Sequence, residues 1–156
     1  MFRTLIDDLI DFLSKCKSLS DVCFENAFDN KPLKKPIIKD SVYINLKKAD
    51  ISNGAFGDFI GQSDHNEFFG KQGSFTARLE IYVPSCDDAV RCCEVFSKIS
   101  DALLFYENNF KILNISCGNI EFDLKLQTFK LNCDVSFKFF LSKSETQEII
   151  QNIIIK

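Results

Sequence analysis

His65 is the only histidine in the chain, and it sits in SDHNE beside Asp64, Asn66 and Glu67. An imidazole among such oxygens could transfer protons or bind a metal. Without a second histidine or cysteine at ligand spacing, it reads as an exposed loop histidine. Cys92 and Cys93 suggest redox chemistry. Neighbours on a helix point about 100° apart, and both fall near an apolar stripe, so core packing is the expectation. The seven cysteines stand at 16, 23, 86, 92, 93, 117 and 133. Their number is odd, no pair has CxxC spacing, and four replace an apolar residue in a periodic pattern. They read as reduced core residues rather than a disulfide framework. Asp87 and Asp88 could form a carboxylate pair, but their place just after Ser85 reads as a capping hydroxyl followed by first-turn acids. GAFGDFIG lacks the Lys-Ser/Thr end of a phosphate loop and the strand–GxGxxG–helix setting of a dinucleotide site. KPLKKP reads as a basic turn serving solubility. No Ser–His–Asp or Cys–His set can be assembled. The expectation is a protein that is not an enzyme and has no catalytic residues, no metal and no cofactor.

The elements around these residues are clearer. Phe2, Leu5, Ile6, Leu9, Ile10 and Leu13 recur at helical spacing, with Asp7, Asp8 and Asp11 on the wet face. This predicts a helix over 2–16. Strands are predicted over 22–28 and 41–46. Residues 47–73 hold five of the six glycines together with Phe56, Phe59, Ile60, Phe68 and Phe69. That mixture predicts a long loop or extended hairpin that orders against another surface. A strand over 74–83, a helix from Ser85 to about Tyr106, and strands over 110–117 and 119–126 follow. The helix stripe is Ala89, Cys92, Cys93, Phe96, Ile99, Leu103 and Tyr106. In TFKLNCDVSFKFFLS, Phe129, Leu131, Cys133, Val135, Phe137, Phe139 and Leu141 fall on alternate positions, which predicts a long strand with one apolar face. Phe96, Ile99 and Leu103 are expected to pack on it. The isoleucine-rich tail, 144–156, is expected to dock as a short helix or an added strand, with Ile153 and Ile154 as contacts.

The resulting expectation is one α+β domain over 1–156: a mixed, mostly antiparallel sheet with two amphipathic helices packed on one face. A net charge of −3 with no basic block argues against direct sequence-specific nucleic-acid binding. No apolar run approaches the ~20 residues of a membrane span. The acids in MFRTLIDDLIDFLSK are unlike a signal peptide.

Three segments carry a family resemblance: the opening FRTLIDDLIDFLSK, then SFTARLEIYVP with a long helix ending ISDALLF, and the closing FKILNISCGNIEFDLKLQTFKLNCDVSFKFFL. Together they resemble bacteriophage tail terminator, or tail-completion, proteins and the equivalent collar or cap proteins of contractile phage-tail-like bacteriocins. The similarity covers roughly residues 2–142. It implies a structural subunit of a homo-oligomeric, hexameric ring that caps the head-proximal end of a tail tube. Its partners would be tube and sheath or neck proteins. It would be made in the bacterial cytoplasm and incorporated into a virion tail or tail-like particle. Phe56, Phe59, Ile60, Phe68, Phe69, Ile153 and Ile154 are then the expected subunit or tube contacts. A second reading is a small cytosolic ligand-binding protein or enzyme, with Asp64, His65 and Glu67 at a pocket mouth under the 47–73 loop.

Overall fold

A computed structural model describes residues 2–27, 37–53, 59–63, 66–108 and 110–146. Helix α1 spans Phe2–Lys15, and a 3-10 turn follows at Lys17–Leu19. Strands β1 (Cys23–Asn26), β2 (Ser41–Asn53), β3 (Phe59–Ser63) and β4 (Asn66–Pro84) precede helix α2 (Val90–Phe105). Strands β5 (Lys111–Asp123) and β6 (Thr128–Thr146) close the described chain. The fold is α+β, and the sheet order is β1-β2-β4-β6-β5, with β3 paired to β4 off this path. The sheet is mixed: β1 is parallel to β2, whereas β3–β4 and β5–β6 are antiparallel.

The chain divides into two compact units, Met1–Ala49 with Phe75–Lys138, and Asp50–Ser74 with Phe139–Lys156. In the first unit the period-2 pattern decides which side is buried. Val42 and Ile44 on β2, Phe75 to Val83 at odd positions on β4, and Leu131, Cys133, Val135 and Phe137 on β6 are all buried. Helix α1 contributes Ile6, Leu9 and Leu13, and α2 contributes Cys92, Val95, Ile99, Ala102 and Leu103. Removing such side chains from water stabilises the fold by about 1.5–3 kcal/mol each. A run of rings ties the layers together. Phe137 stacks on Phe75 at 4.7 Å and tilts against Phe110 at 5.6 Å, and Phe110 meets Phe12 of α1 edge-on at 5.9 Å.

Several boundaries differ from the sequence reading, each for a local reason. Ser85 does not cap α2. The Asp87 N–H donates to Pro84 O at 3.0 Å, closing a turn, and the Val90 N–H donates to Asp88 Oδ1 at 3.1 Å. The acids therefore precede the helix, which starts at Val90. Its buried stripe includes Val95 and Ala102, while Cys93 and Tyr106 are exposed and Phe96 is half-buried. Apolar residues surround this helix, so spacing alone left the stripe ambiguous by one position. Asn108 ends the helix by donating through Nδ2 to the Leu103 and Tyr106 carbonyls, at 3.0 and 2.8 Å. The two strands expected on either side of Gly118 are one strand, β5, with register shifts between Ile112 and Asn114 and between Cys117 and Ile120. Its turn to β6 forms on the Asp123 carboxylate, which accepts the Lys125 and Leu126 N–H groups, with Gln127 at φ 53°.

Of the two forms expected for 47–73, a long loop or an extended hairpin, the strands follow the second, with β3 and β4 paired antiparallel. Of residues 47–73, those at 47–53, 59–63 and 66–73 are strand. Register pairs Phe59 with Phe69 and Gly61 with Phe68. Within the second unit Ser52 Oγ donates to Gln72 O at 3.3 Å, and a Cβ added at Gly73 would strike the Phe139 ring. The expected docking tail begins as strand, since β6 runs to Thr146. Ile153 and Ile154 lie outside the described residues.

Candidate functional site

The chemistry-bearing side chains of the first unit gather on the sheet face opposite the core. Alternation that buries odd positions on β4 and β6 sends Thr76, Arg78, Glu80 and Tyr82, and Lys130, Asn132, Asp134 and Ser136, to the other side. Thr76 and Ser136 hydroxyls lie 2.9 Å apart, and Arg78 Nε donates to Asp134 Oδ1 at 3.0 Å. One strand number rises as the other falls, so β4 and β6 run antiparallel here. Lys47 of β2 donates to the second oxygen of the same Asp134 carboxylate. Glu80 accepts the Tyr82 hydroxyl at 3.0 Å and pairs with Lys130 at 3.4 Å. The Lys130 ammonium also lies 5.2 Å from the Tyr82 ring centre, and Tyr43 meets Tyr82 edge-on at 5.7 Å.

The electrostatics of this band are those of a satisfied network. Burial works against the Asp134 carboxylate, but hydrogen bonds and charge from Arg78 and Lys47 prevail and hold its pKa below the usual range. Burial, followed by the nearby Glu80 charge, pushes the Tyr82 phenol well above its ordinary value, so it stays protonated. Two carboxylates face three cations, and each carboxylate is held by two donors. Neither is placed as a free base. Asn132 Oδ1, on the same face, is buried and has no hydrogen-bond partner among the described residues.

A second ionic site joins α2 to the segment before β2. Arg91 Nε donates to Asp40 Oδ2 at 2.7 Å, and Asp40 is only 4% exposed. Burial raises the Asp40 carboxyl more than the Arg91 charge lowers it, while Asp40 raises Arg91 in turn.

The cysteines divide differently from the sequence reading. None of the seven is joined in a disulfide. Cys16, Cys92 and Cys133 are buried, but Cys23, Cys86, Cys93 and Cys117 are exposed, so fewer than expected are core residues. Strand β1, the turn before α2 and the edge strand β5 each leave a thiol in water. No group of three or more metal-ligating side chains occurs among the described residues.

Of the expected contact residues, Phe59 and Ile60 lie on β3 and Phe68 and Phe69 on β4; the register sets Phe59 opposite Phe69 and Phe68 opposite Gly61, with Ile60 at the irregularity between. Phe56, like Asp64 and His65 of the second reading, lies outside the described residues, and Glu67 is on β4. Sequence reasoning missed the Lys47–Arg78–Asp134 and Glu80–Tyr82–Lys130 groups. The signal available was the polar half of each alternating strand, but not which strands are neighbours. It also missed the exposed apolar side chains of the first unit: Leu104, Phe105 and Tyr106 at the end of α2, and Leu113, Phe122 and Leu124 on and after β5. No helix among the described residues is long and apolar enough to cross a membrane. The sequence matches no protein-family model and no curated protein sequence.

Proposed function

We propose that this chain is a non-enzymatic ring subunit of a phage tail or phage-tail-like particle, capping the head-proximal end of the tube and joining it to sheath or neck. The supporting observation is the distribution of apolar residues. The first unit has a hydrophobic core of its own, built from both helices and one face of the sheet. The second unit contains the paired strands bearing Phe59, Ile60, Phe68 and Phe69. Strands rich in large apolar residues gain most by ordering against a partner surface. Exposed Leu104, Phe105, Leu113 and Leu124 add apolar surface to the first unit, and a closed ring needs two different contact surfaces on each copy. The polar band, whose two carboxylates are each held by two donors, supports a structural rather than catalytic reading.

Light scattering on the purified chain, alone and co-expressed with a tail-tube protein, tests the proposal. Negative-stain imaging of the same samples shows the shape of any assembly. The expected outcome is a six-fold ring, free or seated on tube ends. A chain that stays monomeric in both samples and binds no tube end overturns the reading.

A further inference from the structure

In the β5–β6 register Cys117 stands directly opposite Cys133. Directly paired residues in an antiparallel ladder have side chains on the same face. Their Cα atoms lie about 4.5 or 5.5 Å apart, depending on the kind of pair. Both distances fall within the roughly 4.4–6.8 Å that a disulfide spans. The two thiols differ in access: Cys117 is exposed, whereas Cys133 is 1% exposed. A register shift follows Cys117 immediately, so the backbone beside it is already irregular.

The geometry points to Cys117 and Cys133 as a cross-strand dithiol that closes to an intramolecular disulfide when a low-molecular-weight disulfide is the oxidant. The accessible Cys117 acts first. Its thiolate attacks one sulfur of the oxidant, the oxidant's S–S bond breaks, and one thiol leaves with the proton Cys117 gave up. Cys133, as thiolate, then attacks Sγ of Cys117. The mixed disulfide breaks, and the second small thiol leaves with the proton from Cys133. Two protein thiols are oxidised and one small disulfide is reduced to two thiols. Burial raises the Cys133 thiol pKa, so the second step quickens as pH rises.

The neighbouring cysteines do not offer the same combination. Cys92, Cys93 and Cys117 are all close enough to act electrostatically on Cys133. Cys92 is fully buried, and burial pushes its thiol up to about 11, which closes it to an external oxidant. Cys93 is exposed but lies on α2, with no opposing register position. Closure staples an edge strand that has few buried side chains to the buried β6.

The test treats the full chain with oxidised glutathione, blocks remaining thiols, and digests with trypsin without reduction. Cys117, Cys133 and the Cys92–Cys93 pair fall in separate peptides, 112–125, 131–138 and 92–98. The expected product is 112–125 joined to 131–138, reversed by dithiothreitol and missing in Cys117→Ser. Hydrogen exchange of β5 amides should slow in the oxidised form. Peptide 131–138 joined to 92–98, glutathione retained on Cys117 with Cys133 still free, or only intermolecular cross-links would each overturn the proposal.

Discussion

At the scale of single residues, Asp134 is the most connected charge on the open sheet face. Its carboxylate, 25% exposed on the side chain, takes Arg78 at 3.0 Å and also Lys47. Both cations are partly solvated, so the pairs are worth less than buried ones would be. Asp134→Asn should cost about 0.5–1.5 kcal/mol at neutral pH, read from urea denaturation. The folded carboxyl titrates below its unfolded value. The contribution is therefore fully present above ~4 and is lost as pH falls through the lower, folded value. The gap between wild type and Asp134→Asn should narrow over that acid range. A gap that stays constant down to pH 2 would show that the ionised carboxylate contributes nothing. Asp40 acts in the opposite sense. Burial raises its folded pKa, so folding favours its protonated form and its effect grows more favourable on acidification. Both proteins carry Asp40, so comparing them cancels this opposing slope. The polar side of each strand was legible in the sequence, but the partners were not. Lys47 and Asp134 are 87 residues apart, and a period-2 pattern gives a face without naming the neighbouring strand.

At the scale of elements, the sequence reveals most where one face is apolar and the strand is central. The alternation through β6 predicts a buried face, and Leu131, Cys133, Val135 and Phe137 are buried, while Phe129 and Phe139 are half-buried towards the two ends of that run. Phe137→Ala removes the ring stacked between Phe75 and Phe110 and should cost about 3–5 kcal/mol in chemical denaturation. A cost below about 1 kcal/mol would mean the ring stack is not a core contact. Glycines obscured the rest. Gly118 looked like a strand end, yet a Cβ there would meet only Asn132 O at 3.5 Å, an ordinary contact, so β5 passes through it. The glycines of 47–73 looked like loop residues, but Gly73 lies within a strand where the Phe139 ring occupies the space a side chain would need. An aromatic covering a glycine is a local strand-pairing device, and neither residue's propensity announces it. Gly73→Ala should displace that ring and destabilise the strands of the second unit by about 1–3 kcal/mol. Hydrogen exchange localised to β4 and β6 near these positions would report it, and exchange indistinguishable from wild type would show that the ring accommodates a methyl group without loss.

At the scale of the molecule, the question is whether the second unit serves its own chain or another copy. The helices and buried sheet face of the first unit already supply a hydrophobic core. Its stability should therefore depend little on residues of the second unit that point to a partner. Phe56 and Phe59 are two large rings in a glycine-rich stretch. Each contributes about 1.5–3 kcal/mol when buried, in a subunit contact or in its own chain. The double substitution Phe56→Ser, Phe59→Ser distinguishes the two. If the rings contact a neighbour, the variant should keep the wild-type circular dichroism spectrum and a midpoint within a few degrees of the monomer's, since surface substitutions shift stability by about ±0.5 kcal/mol. Ring formation should fail, because the loss is repeated at every subunit contact of a closed assembly. Sedimentation velocity reads both properties on one sample, as the mass of the main species and as its frictional ratio. A variant that assembles normally removes these two rings from the interface. One that unfolds as an isolated chain places them in a core of their own, and the proposed ring would then rest on the exposed residues of α2 and β5 alone.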